Sequence, residues 1–142
     1  MSYTITLRVY QTNTNAFFHV VEKTVWGYAN GGTWDEFHGE HVLKMGGSGT
    51  CGTLRFQTDL GEKFVVAVAV HNYERWCDIV QDVHNDQTGA TIQAEYYNGG
   101  DRTRQREKQL PNYSSVGSAG RNVSINFTGK EGNDLKADIF IK

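Results

Sequence analysis

The most glycine-rich loop of the chain runs from Met45 to Gly52, with the sequence MGGSGTCG, and holds Ser48 between Gly47 and Gly49. It does not match a phosphate-binding loop, because no Lys-Ser/Thr pair follows and no helical pattern begins there. It does not match a nucleophile elbow either, since G-x-S-x-G needs glycine where Thr50 stands. Two interpretations remain: a plain hairpin loop, or a platform whose amides and Ser48 hydroxyl pair with a small polar ligand.

A second polar segment, His71 to Asp78 with the sequence HNYERWCD, lies where a strand pattern gives way to a helical one. His71, Asn72 and Tyr73 would suit recognition of a polar ligand at a strand end. A purely structural role explains the same residues, with Asn72 capping a helix and Tyr73 and Trp76 packing in the core. The residues alone leave both interpretations open.

Metal binding and acid–base catalysis have weaker support. His38, Glu40 and His41 form a short cluster, but no well-spaced third His or Cys completes a metal site, so we expect an exposed polar hairpin without metal. The paired carboxylates are adjacent or one helical turn apart, and nothing places two of them across a cleft, as glycoside hydrolysis requires. These pairs are Asp35 with Glu36 and Asp78 with Asp82. We therefore expect no enzyme activity and no cofactor.

The elements that would position these residues belong to one domain, residues 1–142, because 142 residues and 15.9 kDa suit a single core. The chain is 38% hydrophobic and 21% charged, so it is expected to fold. Sixteen glycines against one proline favour a mainly β architecture, since tight turns need positive φ.

Charge and cysteine content bear on partners and compartment. The net charge is −2 and neither half of the chain forms a basic arm, which argues against a nucleic-acid partner. The start, MSYTITLRVY, lacks the features of a signal peptide, and no stretch reaches the length of a membrane span. We expect a cytoplasmic protein in which Cys51 and Cys77 are free thiols.

Alternating apolar residues at the two ends of the chain predict half-buried strands. Strands are predicted over 3–10, 17–26, 41–44, 53–57 and 63–70, with a closing hairpin over 122–127 and 135–141. Gly31 and Gly32 are expected to break the chain after the second strand. The near-continuous apolar run of 63–70 indicates a central strand covered on both faces.

Between these strands the spacing becomes helical. Five apolar residues predict a first helix after an Asn72 cap: Tyr73, Trp76, Ile79, Val80 and Val83. A second helix is predicted from its cap at Asp101 to Leu110, where Pro111 follows. The expected architecture is a β-sandwich with one helical connection.

Several motifs then appear in order along the whole chain, and with them the sequence resembles the fungal fruit-body lectin family. They are YANGGTWDE from Tyr28, MGGSGT from Met45, VHNYERWCDIV from Val70, EYY from Glu95, REKQL from Arg106 and EGNDLKA from Glu131. The resemblance implies a mainly β, actinoporin-like β-sandwich of two sheets connected by a helix-loop-helix. It also implies a homotetrameric lectin that binds glycans and glycoproteins.

The resemblance further implies two separate sugar sites. The site for the Gal-β-1,3-GalNAc disaccharide, the Thomsen-Friedenreich antigen, would comprise Ala29, Asn30, Ser48, Gly49, His71, Asn72 and Tyr73. The site for N-acetylglucosamine would comprise Asp78, Ile79, Gln81, Arg102 and Tyr113, on or beside the predicted helices. Gln81 stands where the family commonly has Thr, and its amide would either bond the acetamido group or obstruct it.

Two further departures border the disaccharide site, because Cys51 replaces a usual Ser and Glu74 replaces a Lys.

Two rival functions follow from the same data. A membrane pore-former is suggested by the actinoporin-like fold, but those toxins insert an N-terminal amphipathic helix and this chain is predicted to start with a strand. A glycosidase is the enzyme alternative, and the carboxylate spacing argues against it.

Overall fold

The computed structural model describes residues 2–27, 31–129 and 132–142, which form two β-sheets packed face to face and a helical pair over one outer face. The strands are β1 (Tyr3–Gln11), β2 (His19–Trp26), β3 (Gly32–Phe37), β4 (Glu40–Met45), β5 (Cys51–Gln57), β6 (Lys63–His71), β7 (Glu74–Val80), β8 (Asn112–Val116), β9 (Asn122–Gly129) and β10 (Asp134–Ile141). The helices are α1 (Gly89–Ala94) and α2 (Thr103–Lys108). The expected mainly β fold is confirmed.

The larger sheet has the order β3-β4-β1-β10-β9-β8 and the smaller one β2-β5-β6-β7. β1 and β10 run parallel, and the other neighbouring strands described are antiparallel. β9 and β10 form the closing hairpin predicted from the sequence. Alternate residues of β1, such as Ile5 and Leu7, are fully buried in the core between the sheets, as their period of two predicts.

β6 is buried on both faces, which confirms the prediction for its apolar run. Val66, Val68 and Val70 face the core between the sheets, while Val65, Ala67 and Ala69 face a second core beneath the helices. A strand that serves two apolar layers needs apolar residues on both sides, so its sequence loses the usual alternation. β6 is thus the rigid centre of the smaller sheet.

The helix predicted over 73–83 is wrong, because this segment forms β7. Its side chains also serve two cores: Trp76 and Val80 pack beneath the helices, whereas Cys77 and Ile79 pack between the sheets. An apolar strand covered on both faces can by chance place its largest residues at helical spacing. The strand pairs with β6 along its whole length.

α1 lies further along the chain than the first predicted helix and was not predicted, whereas α2 lies within the second predicted helix, 101–110, and confirms it. Together they form the expected helix-loop-helix that connects the two sheets. α1 follows Thr88, whose hydroxyl accepts the N–H of Thr91 at 3.1 Å in a capping box. Arg102, not the predicted Asp101, occupies the N-cap position of α2 without a side-chain capping hydrogen bond, and the helix ends at Gln109 in the left-handed region with φ 49°. Glu22 of β2 accepts the N–H of Gly89 at 2.6 Å and so fixes α1 to the smaller sheet.

β3 and β8 were not predicted, and β3 begins at Gly32, one of the expected chain breaks. Both are edge strands of the larger sheet. Their residues are exposed or half-buried, so they carry few of the apolar residues from which a strand is recognised.

Candidate functional site

The turn between β6 and β7 consists of Asn72 and Tyr73, with φ values of 48° and 66°. Consecutive positive φ values are typical of a two-residue hairpin turn, in which Asn is favoured at the first position. Tyr73 is 76% exposed, so its ring is not part of the core, and Asn72 does not cap a helix. The structural roles considered for Asn72 and Tyr73 are therefore wrong, whereas Trp76 is buried in a core as that interpretation expected. The Asn72 and Tyr73 side chains are available at the surface.

The loop that contains Ser48 is fixed against this turn. Ser48 Oγ accepts the backbone N–H of Tyr73 at 2.9 Å, and the N–H of Gly49 donates to the Val70 carbonyl at 2.8 Å. Gly49 has φ 98°, a conformation that favours glycine. Four of the predicted disaccharide-site residues, Ser48, Gly49, Asn72 and Tyr73, thus lie on one surface.

His71 is the last residue of β6, beside the same turn, and its backbone is hydrogen-bonded to the end of α2. Its carbonyl accepts the Gln109 Nε2 amide, which reaches it from the end of α2. Its ring Nε2 lies 3.4 Å from Asn72 Nδ2. Partial burial, followed by the nearby Arg106 charge, lowers the pKa of His71 below its ordinary 6.5, which keeps the imidazole neutral near pH 7. A neutral ring offers one donor and one acceptor.

Ala29 and Asn30, the remaining members of the predicted disaccharide site, lie outside the described residues. The glycine that follows them, Gly31, accepts the N–H of Gly46 at its carbonyl at 2.9 Å. A Cβ at Gly32 would lie only 2.8 Å from the Lys44 carbonyl, so the close approach of the two segments requires glycine there. The first glycine loop, at Gly31 and Gly32, therefore adjoins the second, Met45 to Gly52, with a shallow cavity of about 260 Å³ between them.

The predicted N-acetylglucosamine residues begin on β7 rather than on a helix. Asp78 is 2% exposed, and both of its carboxylate oxygens are occupied. Tyr96 donates its hydroxyl to Oδ2 at 2.7 Å, and Gln105 donates its amide to Oδ1 at 3.1 Å. The Asp78 side chain therefore organises the helical pair over β7, and Ile79 beside it is buried in the opposite core.

The other members of this set lie at the start of α2, on β8 and directly after β7. Arg102 pairs with Glu95 at 2.7 Å at the start of α2. Tyr113 is half-buried on β8 and packs against the core between the sheets. The Gln81 amide donates to the carbonyls of Ser115 and Arg121 at 3.2 and 3.1 Å. Both amide hydrogens are thus committed to joining the end of β7 to β8 and the loop after it.

The two departures near the disaccharide site differ in exposure. Cys51 is fully buried in the core beneath the helices, and burial raises the pKa of its thiol to about 12. It therefore stays protonated and has no surface through which to touch a ligand. Glu74 is exposed directly after the turn, where it pairs with Arg75 at 2.7 Å.

The weaker chemical candidates are separated or already paired. Within residues 2–27, 31–129 and 132–142, no group of three or more His, Cys, Asp or Glu side chains is arranged to hold a metal ion. Glu40 pairs with Arg8 at 2.5 Å, while Asp35 and Glu36 lie near Lys44 and Lys23 at 3.7 and 3.9 Å. In the same ranges, no helix has the length and apolar character needed to cross a bilayer.

Three residues that brace these surfaces were not predicted from the sequence. Gln109 holds the His71 carbonyl, and Tyr96 and Gln105 hold the Asp78 carboxylate. Their partners are 18 to 38 residues away in sequence, so no local pattern reveals them. The buried tyrosine pair Tyr96–Tyr97 after α1 was the available signal, since a buried hydroxyl needs a partner.

Comparisons with known proteins give the family and support the fold. The family model described as fungal fruit body lectin matches residues 1–139. The chain is 51% identical over 140 residues to Boletus edulis lectin from Boletus edulis, covering 98% of each chain. It is also similar to the crystal structure of the wild-type Xerocomus chrysenteron lectin, with 52% identity, 100% of both chains covered and a TM-score of 0.98. A methionine-substituted form of that lectin gives 53% identity, 100% and 99% coverage and the same TM-score.

Proposed function

Because the chain belongs to the fungal fruit body lectin family and is thereby a carbohydrate-binding protein, we propose that it recognises glycans carrying Gal-β-1,3-GalNAc. The binding surface would be the two adjoining glycine loops and the β6–β7 turn. The observation that carries the proposal is the 2.9 Å hydrogen bond from the Tyr73 N–H to Ser48 Oγ. It brings a hydroxyl, an amide and an exposed ring together from segments 25 residues apart.

Each group has a chemical role in this proposal. The Asn72 amide contains both a donor and an acceptor, so it can pair with two neighbouring hydroxyls of galactose. Ser48 Oγ uses one lone pair for Tyr73 and retains its hydrogen for the ligand. An epimer with the hydroxyl turned the other way would leave these groups unpaired, which is the basis of discrimination. The exposed Tyr73 ring offers an apolar surface to the C–H face of the sugar.

A second site for N-acetylglucosamine is proposed along the edge of β7 that does not pair with β6. The Cys77 N–H points away from β6, because it donates to the Leu110 carbonyl at 3.2 Å. Alternate residues of a strand point their amides the same way, so the main chain of Ile79 also faces outwards. We propose that this edge binds the sugar between Arg102 and Tyr113, with Asp78 acting indirectly by fixing the strand. Because both Gln81 amide hydrogens are bonded to the Ser115 and Arg121 carbonyls, Gln81 would meet the acetamido group only through Oε1, which can accept the acetamido N–H.

Assembly and compartment complete the proposal. We propose a homotetramer in the cytoplasm, with no catalytic activity and no membrane insertion. Both cysteines are buried free thiols, which suits a reducing compartment. Shallow sugar sites bind weakly, and several copies in one assembly would gain avidity on a glycan-bearing surface. Agglutination is then expected to require the assembly. Sedimentation would measure the oligomeric state of the parent and of a variant that no longer assembles, and an agglutination assay on the same two proteins would show whether agglutination is lost with assembly.

A glycan array tests the specificity. We expect binding above background to terminal Gal-β-1,3-GalNAc and, independently, to terminal N-acetylglucosamine. Asn72→Ala should abolish the first signal and leave the second. If neither epitope were bound, or if Asn72→Ala changed nothing, the proposal would be lost. Chromogenic galactosides and glucosaminides should remain uncleaved, and measurable turnover would contradict the non-catalytic assignment.

A further inference from the structure

A cavity of about 330 Å³ opens at the end of the sandwich opposite the β6–β7 turn. It lies where β5 ends and β6 begins, whereas Ser48 and Asn72 lie at the other ends of these strands. Its wall combines aromatic residues, including Phe17 and Phe56, with His41 and Glu36. None of the residues assigned to the two sugar sites lines it.

His41 is the polar group set deepest in this wall. It is 8% exposed, and its Nδ1 is enclosed without a hydrogen-bond partner in the part of the chain that the structure describes. An enclosed unpaired N–H is more costly than an enclosed lone pair, so we assign the ring hydrogen to Nε2. Burial, and then the nearby Lys23 charge, lowers the pKa of His41 and keeps this tautomer neutral. Nε2 is not among the enclosed unpaired atoms, and it forms an N–H donor in the cavity wall.

Phe17 provides an apolar surface beside this donor. Its side chain is 63% exposed. Phe17 follows a polar turn and precedes an edge strand, where a polar residue would not reduce the stability of the fold. The ring meets His19 edge to face, with 4.7 Å between ring centroids. An exposed aromatic ring next to a few convergent polar groups is a common feature of ligand pockets.

The charges around the cavity argue for a neutral ligand. Glu36 lies in the wall, so an anion would be repelled. A cation gains little there either, because Lys23 lies 3.9 Å from Glu36 and offsets its charge. The remaining class has hydroxyls for the polar groups and an apolar face for the ring.

We propose that this cavity is a third carbohydrate site, which binds a single neutral pyranose. One sugar hydroxyl accepts the His41 Nε2 hydrogen, another donates to the Glu36 carboxylate, and the C–H face of the ring packs on Phe17. The volume lies at the small end of ligand pockets, which suits one ring rather than a longer glycan. The proposal does not depend on either sugar site proposed above.

Imidazole NMR tests it directly, since the chain has five histidines and they report on different surfaces. The probes are the methyl pyranosides of glucose, galactose, mannose and N-acetylglucosamine, titrated into the assembled lectin and its Asn72→Ala variant. We expect at least one pyranoside to shift the His41 and His19 ring signals saturably in both proteins. His84, which lies beside a different cavity, should not move.

Two exposed phenylalanines give a matched pair of variants. Phe17→Ala should weaken binding of that pyranoside about fivefold, because the stacked ring is lost. Phe37 is 66% exposed and does not line the cavity, so Phe37→Ala should leave the affinity unchanged. The proposal is overturned if no pyranoside moves the His41 signal, if the response disappears with Asn72→Ala, or if the two alanine variants weaken binding equally.

Discussion

The Tyr96 hydroxyl donates a hydrogen bond to Asp78 Oδ2 at 2.7 Å, and both groups are buried. Burial, and then the Asp78 charge, raises the pKa of Tyr96 well above its ordinary value, so the hydroxyl remains a donor at any physiological pH. This bond fixes the segment after α1 to the strand that carries the proposed N-acetylglucosamine site. If the proposed site is used, stability and sugar binding would therefore be coupled at Asp78.

Tyr96→Phe removes this donor and leaves a buried carboxylate oxygen without a partner. The free energy of unfolding should fall by about 2 kcal/mol, the usual loss for a hydrogen bond to a charged group. Urea unfolding measures it, and calorimetry should show weaker N-acetylglucosamine binding with unchanged disaccharide binding. Tyr3→Phe is the control, since Tyr3 is buried without a described hydroxyl partner, and it should cost under about 0.5 kcal/mol. Equal losses in the two variants would contradict the role of Asp78.

Ser48→Ala removes the acceptor that holds the Tyr73 N–H. Because this bond is exposed, the stability should fall by less than about 1 kcal/mol. The disaccharide should bind about tenfold more weakly, since the turn loses its anchor and the ligand loses a hydroxyl. Titration calorimetry measures the affinity, and Ser114→Ala on exposed β8 serves as the control. A Ser48→Ala variant with parental affinity would remove Ser48 from the site.

Asn72 allows side-chain chemistry to be separated from turn conformation. Both Asn72→Gly and Asn72→Ala lose the amide, so both should lose disaccharide binding. Only Ala resists the positive φ of 48°, so only Asn72→Ala should be destabilised, by about 1 kcal/mol. Thermal unfolding and calorimetry on the two variants check this. Disaccharide binding retained by Asn72→Gly would show that the conformation alone matters.

Acid should destabilise the protein through His41. Its folded-state pKa lies below the ordinary 6.5 because of burial, so the unfolded chain binds more protons as the pH falls below about 6.5. Stability then declines down to the folded-state pKa and this contribution becomes constant below it. Urea unfolding of the parent and His41→Leu between about pH 7.5 and pH 5 should show a smaller decline in the variant. In the exposed His84→Gln variant, the free energy of unfolding should fall with pH as it does in the parent. If it fell equally in all three proteins, His41 would not contribute to the loss of stability in acid.

The strands at the two ends and β6 were predictable because their residues report burial directly. β1 and β10 have one buried face, and β6 has two. β7 was mistaken for a helix because a strand covered on both faces has no period of two. The edge strands β3 and β8 were missed because they bury too little to leave a pattern.

The disaccharide surface was predicted as a set of residues by resemblance, but its construction was not. Nothing local in the sequence pairs Ser48 with Tyr73, or Gln109 with His71, because these contacts arise only when the sheets and helices pack. The predicted cap role of Asn72 failed for the same reason. Local spacing suggested a helix, and pairing with β6 determined a strand.

The double coverage of β7 has a consequence for how the lectin would hold two ligands. The proposed disaccharide surface begins at the first end of this strand, and the proposed N-acetylglucosamine edge lies near its other end. Asp78 is five positions along the chain from Tyr73, about 17 Å at the usual rise of a strand. A strand packed between two apolar layers cannot bend to adjust that interval. Glycans bound at both places would be held at a constant spacing and orientation, so only surfaces whose sugar branches match this interval would be bridged by a single subunit.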